Sequence, residues 1–481
     1  MGQFCDLWKL AVITPLLKKA GLELSTANYR PVSNLAFLSK IVEKAVIRQL
    51  NDHVNSNNLH SHHQSAYKAN FSTETALCLL VNNLLWAMER GEISIMVGLD
   101  LSAAFDTVDH EVLVSVLHHN YGIEDTALTW IKSYLKDRKM HVQIDNVTSS
   151  VKTFNYSVPQ GSCLGPVLFN AYASTITDCI NPDQDLGGYA DDHYLRDSFK
   201  PSIPDAESKC VKRMETTVDS LLQWMSANSL KVNADKTEIT VFGSFKTLTK
   251  TNVNQLRIGD QQISTNHKLK YLGVVLDNSL TFQDHINAKC KTAIWNIRKI
   301  NKIRQFLDLK TAKLLASALV LSHLDYANSI LCGLPNSTIN KLQHVQNWAA
   351  KVVLKQTKYD SSTAALYTLH WLPVRQRINF KILCMIHKCL NNAAPEYLSC
   401  LIRVKIFERQ TRLANTSAIT LEVPFTRRST FAQRAFSVYG PHLWNKLPVD
   451  IRQIQIYSLF KKLLKTFLFN EHFKDNVVKR T

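Results

Sequence analysis

Two adjacent acids, Asp191 and Asp192, interrupt a strand-like run that reads Leu186-Gly187-Gly188-Tyr189-Ala190 before them and His193-Tyr194-Leu195 after them. An Asp-Asp pair makes a poor tight turn, because hairpins prefer Asn-Gly or Asp-Gly and because neighbouring carboxylates repel. A local violation of this kind is expected where chemistry demands it. A third acid, Asp100, ends the short apolar run Ile95-Met96-Val97-Gly98-Leu99. Carboxylates are hard oxygen ligands, and three brought together from separate strands could hold two Mg²⁺ ions about 3.5–4 Å apart. That arrangement serves in-line nucleotidyl transfer. One ion would activate a primer 3′-hydroxyl, and the other would bind a triphosphate and neutralise charge on the departing pyrophosphate. By itself an Asp-Asp pair also describes a solvated turn.

The elements around these acids are readable from periodicity. Leu38, Ile41, Val42, Ala45, Val46 and Leu50 recur at helical spacing and predict an amphipathic helix over 35–55. A second amphipathic helix is predicted from Glu74 to Glu89, and others over Glu111 to Asn120, Asp125 to Leu135 and Asp205 to Asn228. A buried strand ends at Asp100; alternating residues at 141–144 and 151–158, the stretch Glu238 to Phe242 and a hairpin around Tyr271 to Leu276 complete an antiparallel sheet pattern. Residues 283–356 and 375–392 read as mainly helical.

At this point the chain resembles a known family, the LINE-type reverse transcriptases of non-LTR retrotransposons, in particular the jockey-like and chicken-repeat-like group. Asp100-Leu-Ser-Ala-Ala-Phe105-Asp106-Thr-Val-Asp109-His110 resembles their first catalytic motif, Val158-Pro159-Gln160-Gly161-Ser162 with Leu164-Gly165-Pro166 the second, and Tyr189 to Asp192 the third. Asn28-Tyr29-Arg30-Pro31-Val32-Ser33 and Gln64-Ser65-Ala66-Tyr67-Lys68 with Ser72-Thr73-Glu74-Thr75 are similar to finger-region motifs. Asn233-Ala234-Asp235-Lys236-Thr237-Glu238 and Tyr271-Leu272-Gly273-Val274 resemble the fourth motif and the primer grip. The seven motifs stand in family order between Asn28 and Val274.

The resemblance implies an RNA-directed DNA polymerase that takes an RNA template, a DNA primer and deoxynucleoside triphosphates, with two Mg²⁺ ions held by Asp100, Asp191 and Asp192. Phe105 would be a steric gate whose ring clashes with a ribose 2′-hydroxyl; the plainer alternative is a core phenylalanine. Lys18 and Arg30 would contact the incoming triphosphate, as a point charge and a bidentate fork, and Lys68 would assist or touch template. Gln160 and Gly161 would lie against the nascent base pair, and Lys236 would donate a proton to pyrophosphate. Tyr271, Leu272 and Gly273 would grip the primer. Ser157 stands where the family usually has Gly, Phe71 where His is common, and His193 where Thr is frequent; Ser157 could strain a backbone position that tolerates φ > 0.

The expected fold is α+β, a fingers-palm-thumb polymerase with an antiparallel palm sheet and a helical, basic C-terminal extension. The fingers are predicted over 1–93, the palm over 94–277, thumb-like basic helices over 278–356 and the extension over 357–481. The resemblance also places an endonuclease upstream, none of whose residues are in this chain, and Trp8 to Pro15 already reads like the interior of a fold, as if a longer parent had been shortened.

Charge supports a polyanionic partner. The chain carries a formal +18, and residues 281–481 hold 31 Lys+Arg against 10 Asp+Glu, which is +21. Subtraction from the totals of 57 and 39 leaves 26 and 29, or −3, for residues 1–280. Basic excess of this size suits phosphate neutralisation, with a merely solubilising surface as the alternative. Over 281–310, Lys289, Lys291, Arg298, Lys299, Lys302 and Arg304 alternate with Ile294, Ile297, Ile300 and Ile303, as in a helix with a basic and an apolar side that could grip a template-primer backbone. Trp348, Trp371 and Trp444 with Arg427-Arg428 could bind template RNA by stacking and charge, or the tryptophans could simply pack in the core.

With 45% hydrophobic and 20% charged residues the composition is that of a globular protein of several subdomains. The longest apolar stretch, Leu314 to Leu331, contains His323 and Asp325, so no membrane span is expected. Ten scattered cysteines without a Cys-x-x-Cys pair argue against a disulfide framework and for an intracellular protein, nuclear or cytoplasmic, rather than a secreted one. Cys384, His387, Cys389 and Cys400 lie close in sequence, but buried free cysteine is the commoner state in such a helical run. Two rivals remain open: a non-catalytic nucleic-acid-binding relic, and an RNA-dependent RNA polymerase, against which Phe105 and Val-Pro-Gln-Gly-Ser argue.

Overall fold

The strand that carries Asp100 is apolar on both faces, and the computed structural model puts it at the centre of the main sheet. The structure describes residues 2–19, 21–102, 105–233, 236–406, 419–428 and 430–477. Ala103, Ala104, Ala234 and Asp235 of the first and fourth motifs lie outside the described residues. Ile93–Ser102 pairs antiparallel with Asp192–Phe199 on one side and with Glu238–Phe242 on the other. The full order is Gln255–Ile258, Gln261–Asn266, Glu238–Phe242, Ile93–Ser102, Asp192–Phe199, Asp185–Tyr189, with Lys231–Val232 pairing the end of the central strand. The sheet is antiparallel as expected except where Gln261–Asn266 runs parallel to Glu238–Phe242.

Side-chain alternation splits the core between the two faces of this sheet. Ile93, Ile95, Val97 and Leu99 face a cluster built by the helices His110–His119, Asp125–Leu135, Gly165–Tyr172 and Ala206–Ala227. Met96, with Tyr194 and Phe242, faces the other cluster, which takes in the helix Thr73–Glu89 and reaches through the C-terminal half to Phe473. The bounds of the helices and strands agree with the sequence expectations to within a few residues, and Asp125–Leu135 and Glu238–Phe242 coincide with them. The apolar stripe expected on the first helix is turned, however: in Phe37–Ser56, Leu38 and Ile41 are exposed, and Ser39 and Glu43, hydrogen-bonded to each other, are buried with Leu50 and Val54.

Three differences from expectation have physical causes. The strand does not stop at Asp100 but continues to Ser102, because Lys231–Val232 offers Leu101 and Ser102 a partner. The helix Thr73–Glu89, opened by a Ser72–Thr75 capping box, is buried nearly all round rather than on one stripe. Its second side is covered by the C-terminal extension: the Trp86 indole donates to Ser437 Oγ at 2.8 Å, Ser437 N donates to Asn82 Oδ1 at 3.1 Å, and the backbone N–H groups of Arg427 and Arg428 donate to Glu89 Oε1 at 2.6 and 2.8 Å. Residues 138–154 do not join the main sheet. Arg138–Ile144 pairs antiparallel with Val147–Thr148 and Lys152–Phe154 and parallel with Leu10–Leu17, which pairs antiparallel with Tyr29–Asn34, so that a separate five-stranded sheet forms around the partner that Leu10–Leu17 supplies.

C-terminal to the Tyr271 hairpin, Gln283–Ile303 packs on Asn336–Val353 and further helices follow. Trp371 and Trp444 are buried in this core, whereas Trp348 is exposed. Cys384 and Cys389 are buried, and His387 between them stacks on Phe460 at 4.2 Å and donates from Nε2 to the Ile454 carbonyl at 2.7 Å. All ten cysteines are free. No helix among the described residues is long and apolar enough to cross a membrane.

Candidate active site

Strand register brings the acids together. Asp100 lies directly across from Asp192 in the antiparallel ladder, and Asp192 also closes the neighbouring hairpin opposite Tyr189. Ala190 and Asp191 are therefore the two residues of a turn, and Ala190 has φ +59°, a value that usually calls for glycine.

A buried glutamine holds that turn. Gln64 Nε2 donates to the Ala190 carbonyl at 3.1 Å, while Gln64 Oε1 accepts from Ala190 N at 2.9 Å and Ala66 N at 3.0 Å. The main chain on either side of Gln64 runs along the hairpin, with Gly188 N donating to His63 O and Ser65 N to Gly188 O, both at 2.8 Å. Gly187 leaves room for the Tyr194 ring and Gly188 for a close approach of His193. A Cβ on Gly187 would fall 2.2 Å from the Tyr194 ring, and one on Gly188 would meet His193 at 3.0 Å.

Negative charge concentrates at this point. Burial, then the Asp191 and Asp100 charges, push the Asp192 carboxyl up to about 6. Lys236 Nζ lies 3.0 Å from Asp100 Oδ2 and neutralises that acid. Asp191 is exposed. Tyr67, a half-exposed residue at φ +59°, has its hydroxyl pKa raised by burial and then by the Asp191 charge. Its finger motif is legible in sequence, but its nearness to Asp191 is not.

A cleft of about 580 Å³ joins the acids to the hairpin expected to grip primer: Asp100, Asp192, Lys236 and Glu238 share its wall with Tyr271, Leu272 and Gly273. The strands Lys268–Tyr271 and Val274–Asp277 are joined by Leu272-Gly273, at φ +45° and +74°, so both turn residues are left-handed as a type I′ turn requires. Tyr326, from the helical region, donates its hydroxyl to Leu272 O at 2.7 Å. No local pattern in the sequence announces this contact.

The other expected residues lie outside this cleft lining. Lys18 and Arg30 are exposed at the rim of the five-stranded sheet, Arg30 in register with Leu16. Lys68 is turned inward: its ammonium donates to the Ser61 carbonyl, sits 5.3 Å from the centre of the Phe71 ring, and has its pKa lowered by burial to about 8. Phe105 is half-buried, stacks on Phe169 at 4.9 Å and accepts at its carbonyl from Val158 N at 2.9 Å. Gln160 Nε2 donates to both Asp106 oxygens at 2.8 and 2.9 Å, and its carbonyl accepts from Ser33 N at 2.7 Å. Gly161 has φ +120°, and a Cβ there would fall 2.6 Å from Ser33 O. Glu43, fully buried, orders the same loop by accepting from Cys163 N and Leu164 N at 2.6 and 3.2 Å.

The donor set fits magnesium in chemistry, since hard carboxylate oxygens that repel one another, as the raised Asp192 carboxyl records, gain from a divalent cation. Convergence is incomplete: among the described residues no three acidic, His or Cys side chains meet in a geometry that would hold an ion, and Asp100 is bonded to Lys236 instead.

Comparison with known proteins shows the family of the chain. The profile of the reverse transcriptase (RNA-dependent DNA polymerase) family matches residues 17–276. The chain is 28% identical over 390 residues to a probable RNA-directed DNA polymerase from transposon BS of Drosophila melanogaster, covering 77% of this chain and 41% of that protein. It is 29% identical over 316 residues to the RNA-directed DNA polymerase from mobile element jockey of the same organism, covering 63% and 33%. The chain thus spans less than half the length of either relative. Apo telomerase from Candida tropicalis aligns over 77% of this chain and 63% of its own with 11% identity and a TM-score of 0.42.

Proposed function

Because this chain belongs to the reverse transcriptase (RNA-dependent DNA polymerase) family, on its LINE-type branch, we propose that it is an RNA-directed DNA polymerase acting on an RNA template, a DNA primer and deoxynucleoside triphosphates. The observation that carries this reading is the cross-strand pairing of Asp100 with Asp192, one residue from Asp191, on the wall of a cleft shared with the Tyr271–Gly273 hairpin. The residues fall into fingers over 1–93, palm over 94–277 and thumb over 278–356, with 357–481 as a basic extension. The protein works inside the cell, in nucleus or cytoplasm, which the ten free thiols support.

In the reaction the primer 3′-oxygen loses its proton and bonds to the α-phosphorus of the nucleotide, and the bond to pyrophosphate breaks. Two magnesium ions held by Asp100 and Asp191, with Asp192 beside them, would supply the positive charge that favours the 3′-alkoxide and the departing pyrophosphate. The protein's own residues position and select. The Leu272-Gly273 turn holds the primer end over the acids. Lys18 and Arg30 draw the triphosphate in from the fingers. Phe105 lies under the sugar and excludes a 2′-hydroxyl. Lys236, paired with Asp100 in this structure, is the ammonium that would protonate pyrophosphate once Asp100 served a metal instead.

The rival reading, a relic that binds nucleic acid without turnover, draws on the Lys236–Asp100 bond and the incomplete convergence of the acids. One assay separates them. Purified protein should extend a DNA primer annealed to RNA in the presence of Mg²⁺ and dNTPs, and Asp191→Asn should abolish extension while retaining primer-template binding. Binding by the wild type with no incorporation would establish the relic instead.

A further inference from the structure

A second nucleic-acid feature lies away from the acids, on the outer face of the first helix after the primer-grip hairpin. Gln283–Ile303 and Asn336–Val353 pack side by side and leave between them a groove of about 850 Å³. It is lined by Lys291, Trp295, Arg298, Lys341, His344 and Trp348, with no acidic side chain among its lining residues. Trp295 is 57% exposed and Trp348 36%, so two indoles face solvent where a folding core alone would have covered them. One face of Trp295 carries the Lys299 ammonium, 3.2 Å from the ring centre.

Helix geometry separates this groove from the primer path. Lys289, on the same helix, lies 4.9 Å from the centre of the Tyr326 ring, and Tyr326 bonds to the Leu272 carbonyl. At 100° per residue, Lys291 and Arg298 project roughly 180–200° away from Lys289. One side of the helix therefore meets the primer grip and the opposite side builds the groove.

We propose that this groove binds single-stranded RNA, the template strand outside the duplex held at the acids. Charge complementarity selects the occupant. The two helices carry five and two Lys+Arg, seven together, against one acid, Asp284, which is already paired with Lys268 at 2.9 Å. A partner must therefore be strongly anionic, and it must also offer flat apolar faces to two exposed indoles. A nucleic-acid single strand presents both at every residue, with bases to stack on Trp295 and Trp348 and phosphates for Lys291, Arg298 and Lys341. A duplex hides its base faces and an acidic polypeptide has none. The identity of the strand as RNA rests on the polymerase reading; the groove's stacking and charge do not.

The test is fluorescence anisotropy of a labelled 12-nucleotide single-stranded RNA with the full chain at fixed salt. Trp295→Ala is expected to weaken binding about tenfold and Trp295→Phe to restore most of it, since an aromatic face is what the base needs. Arg298→Glu should weaken binding and flatten its salt dependence. Unlabelled duplex RNA and poly-glutamate should compete at least tenfold less well than the single strand, and single-stranded DNA no better than RNA. Wild-type affinity in both Trp295→Ala and Arg298→Glu, or equal competition by poly-glutamate or duplex, overturns the proposal. Wild-type primer extension measured beside it keeps the two readings apart: groove-dependent binding without extension sinks the polymerase reading alone, and extension without groove dependence sinks this one alone.

Discussion

Both ends of the Gln64 side-chain amide are bonded to the main chain of Ala190, at 3.1 Å from Nε2 to the carbonyl and 2.9 Å from the amide nitrogen to Oε1. A residue 126 positions earlier in the chain thus sets the φ +59° turn that aims Asp191. Displacing catalytic groups by about 1 Å costs on the order of 10²-fold in rate. Gln64→Glu, which replaces the donor to Ala190 O by an oxygen, should lower kcat by tenfold or more with little change in KM for dNTP and should raise the Mg²⁺ concentration for half-maximal rate. Single-turnover kinetics across a Mg²⁺ titration read all three. A loss of stability with an unchanged Mg²⁺ requirement would reduce Gln64 to a packing residue.

Asp192 makes stability depend on pH. Its carboxyl is raised to about 6 in the folded chain, above the usual carboxylate value, by burial and by Asp191 and Asp100. The folded state therefore binds more protons than the unfolded state between about pH 4 and 6, so this group's contribution falls as pH rises through that window and is flat above it. Because solvent still reaches the group, the cost at neutral pH is of order 1 kcal/mol rather than the full shift. Asp192→Asn should raise the urea midpoint at pH 7.5 but not at pH 4, and Mg²⁺ should shrink the difference. Equal gains at both pH values would show that the carboxyl is not strained by charge.

Ser157 sits at φ +84°, in the loop between the strand Lys152–Phe154 and Val158-Pro159-Gln160-Gly161. Its N–H donates to Val108 O at 2.7 Å and its carbonyl accepts from His110 Nε2 at 2.8 Å, so the backbone is pinned where a side chain is strained. Ser157→Gly relieves that strain and loosens the unfolded chain, which leaves a net gain of up to about 1 kcal/mol. Ser157→Ala should gain nothing. Urea unfolding of the two variants decides; equal midpoints for Gly and Ala would mean that the conformation costs nothing.

Phe105 is half-buried, stacked on Phe169 at 4.9 Å and packed against the core cluster under the central strand. As a gate, its truncation to Ala should cut discrimination between a dNTP and its matched NTP at least tenfold, roughly 1.4 kcal/mol of transition-state binding. As a core residue it would lose up to about 3–5 kcal/mol of stability and lower both activities together. The ratio of kcat/KM values beside the melting temperature distinguishes them, and an unchanged ratio with a large loss of stability would refute the gate.

The residue types themselves determine the three acids, the strand and helix positions and the family motifs, because local periodicity and short-range spacing encode them. Ser157's positive φ is legible too, as a serine where the resembling sequences carry glycine. Tertiary structure alone decides that Thr73–Glu89 is buried on nearly every side, since Ser437, Arg427 and Arg428 reach it from more than 300 residues away. It alone turns Lys68 inward, puts Lys236 on Asp100 and gives Gln64 to Ala190, 126 residues distant. A hydrogen bond needs two particular atoms within about 3 Å, and that coincidence arises only when separate elements pack; periodicity along the chain reports which face a residue occupies and not what it meets there.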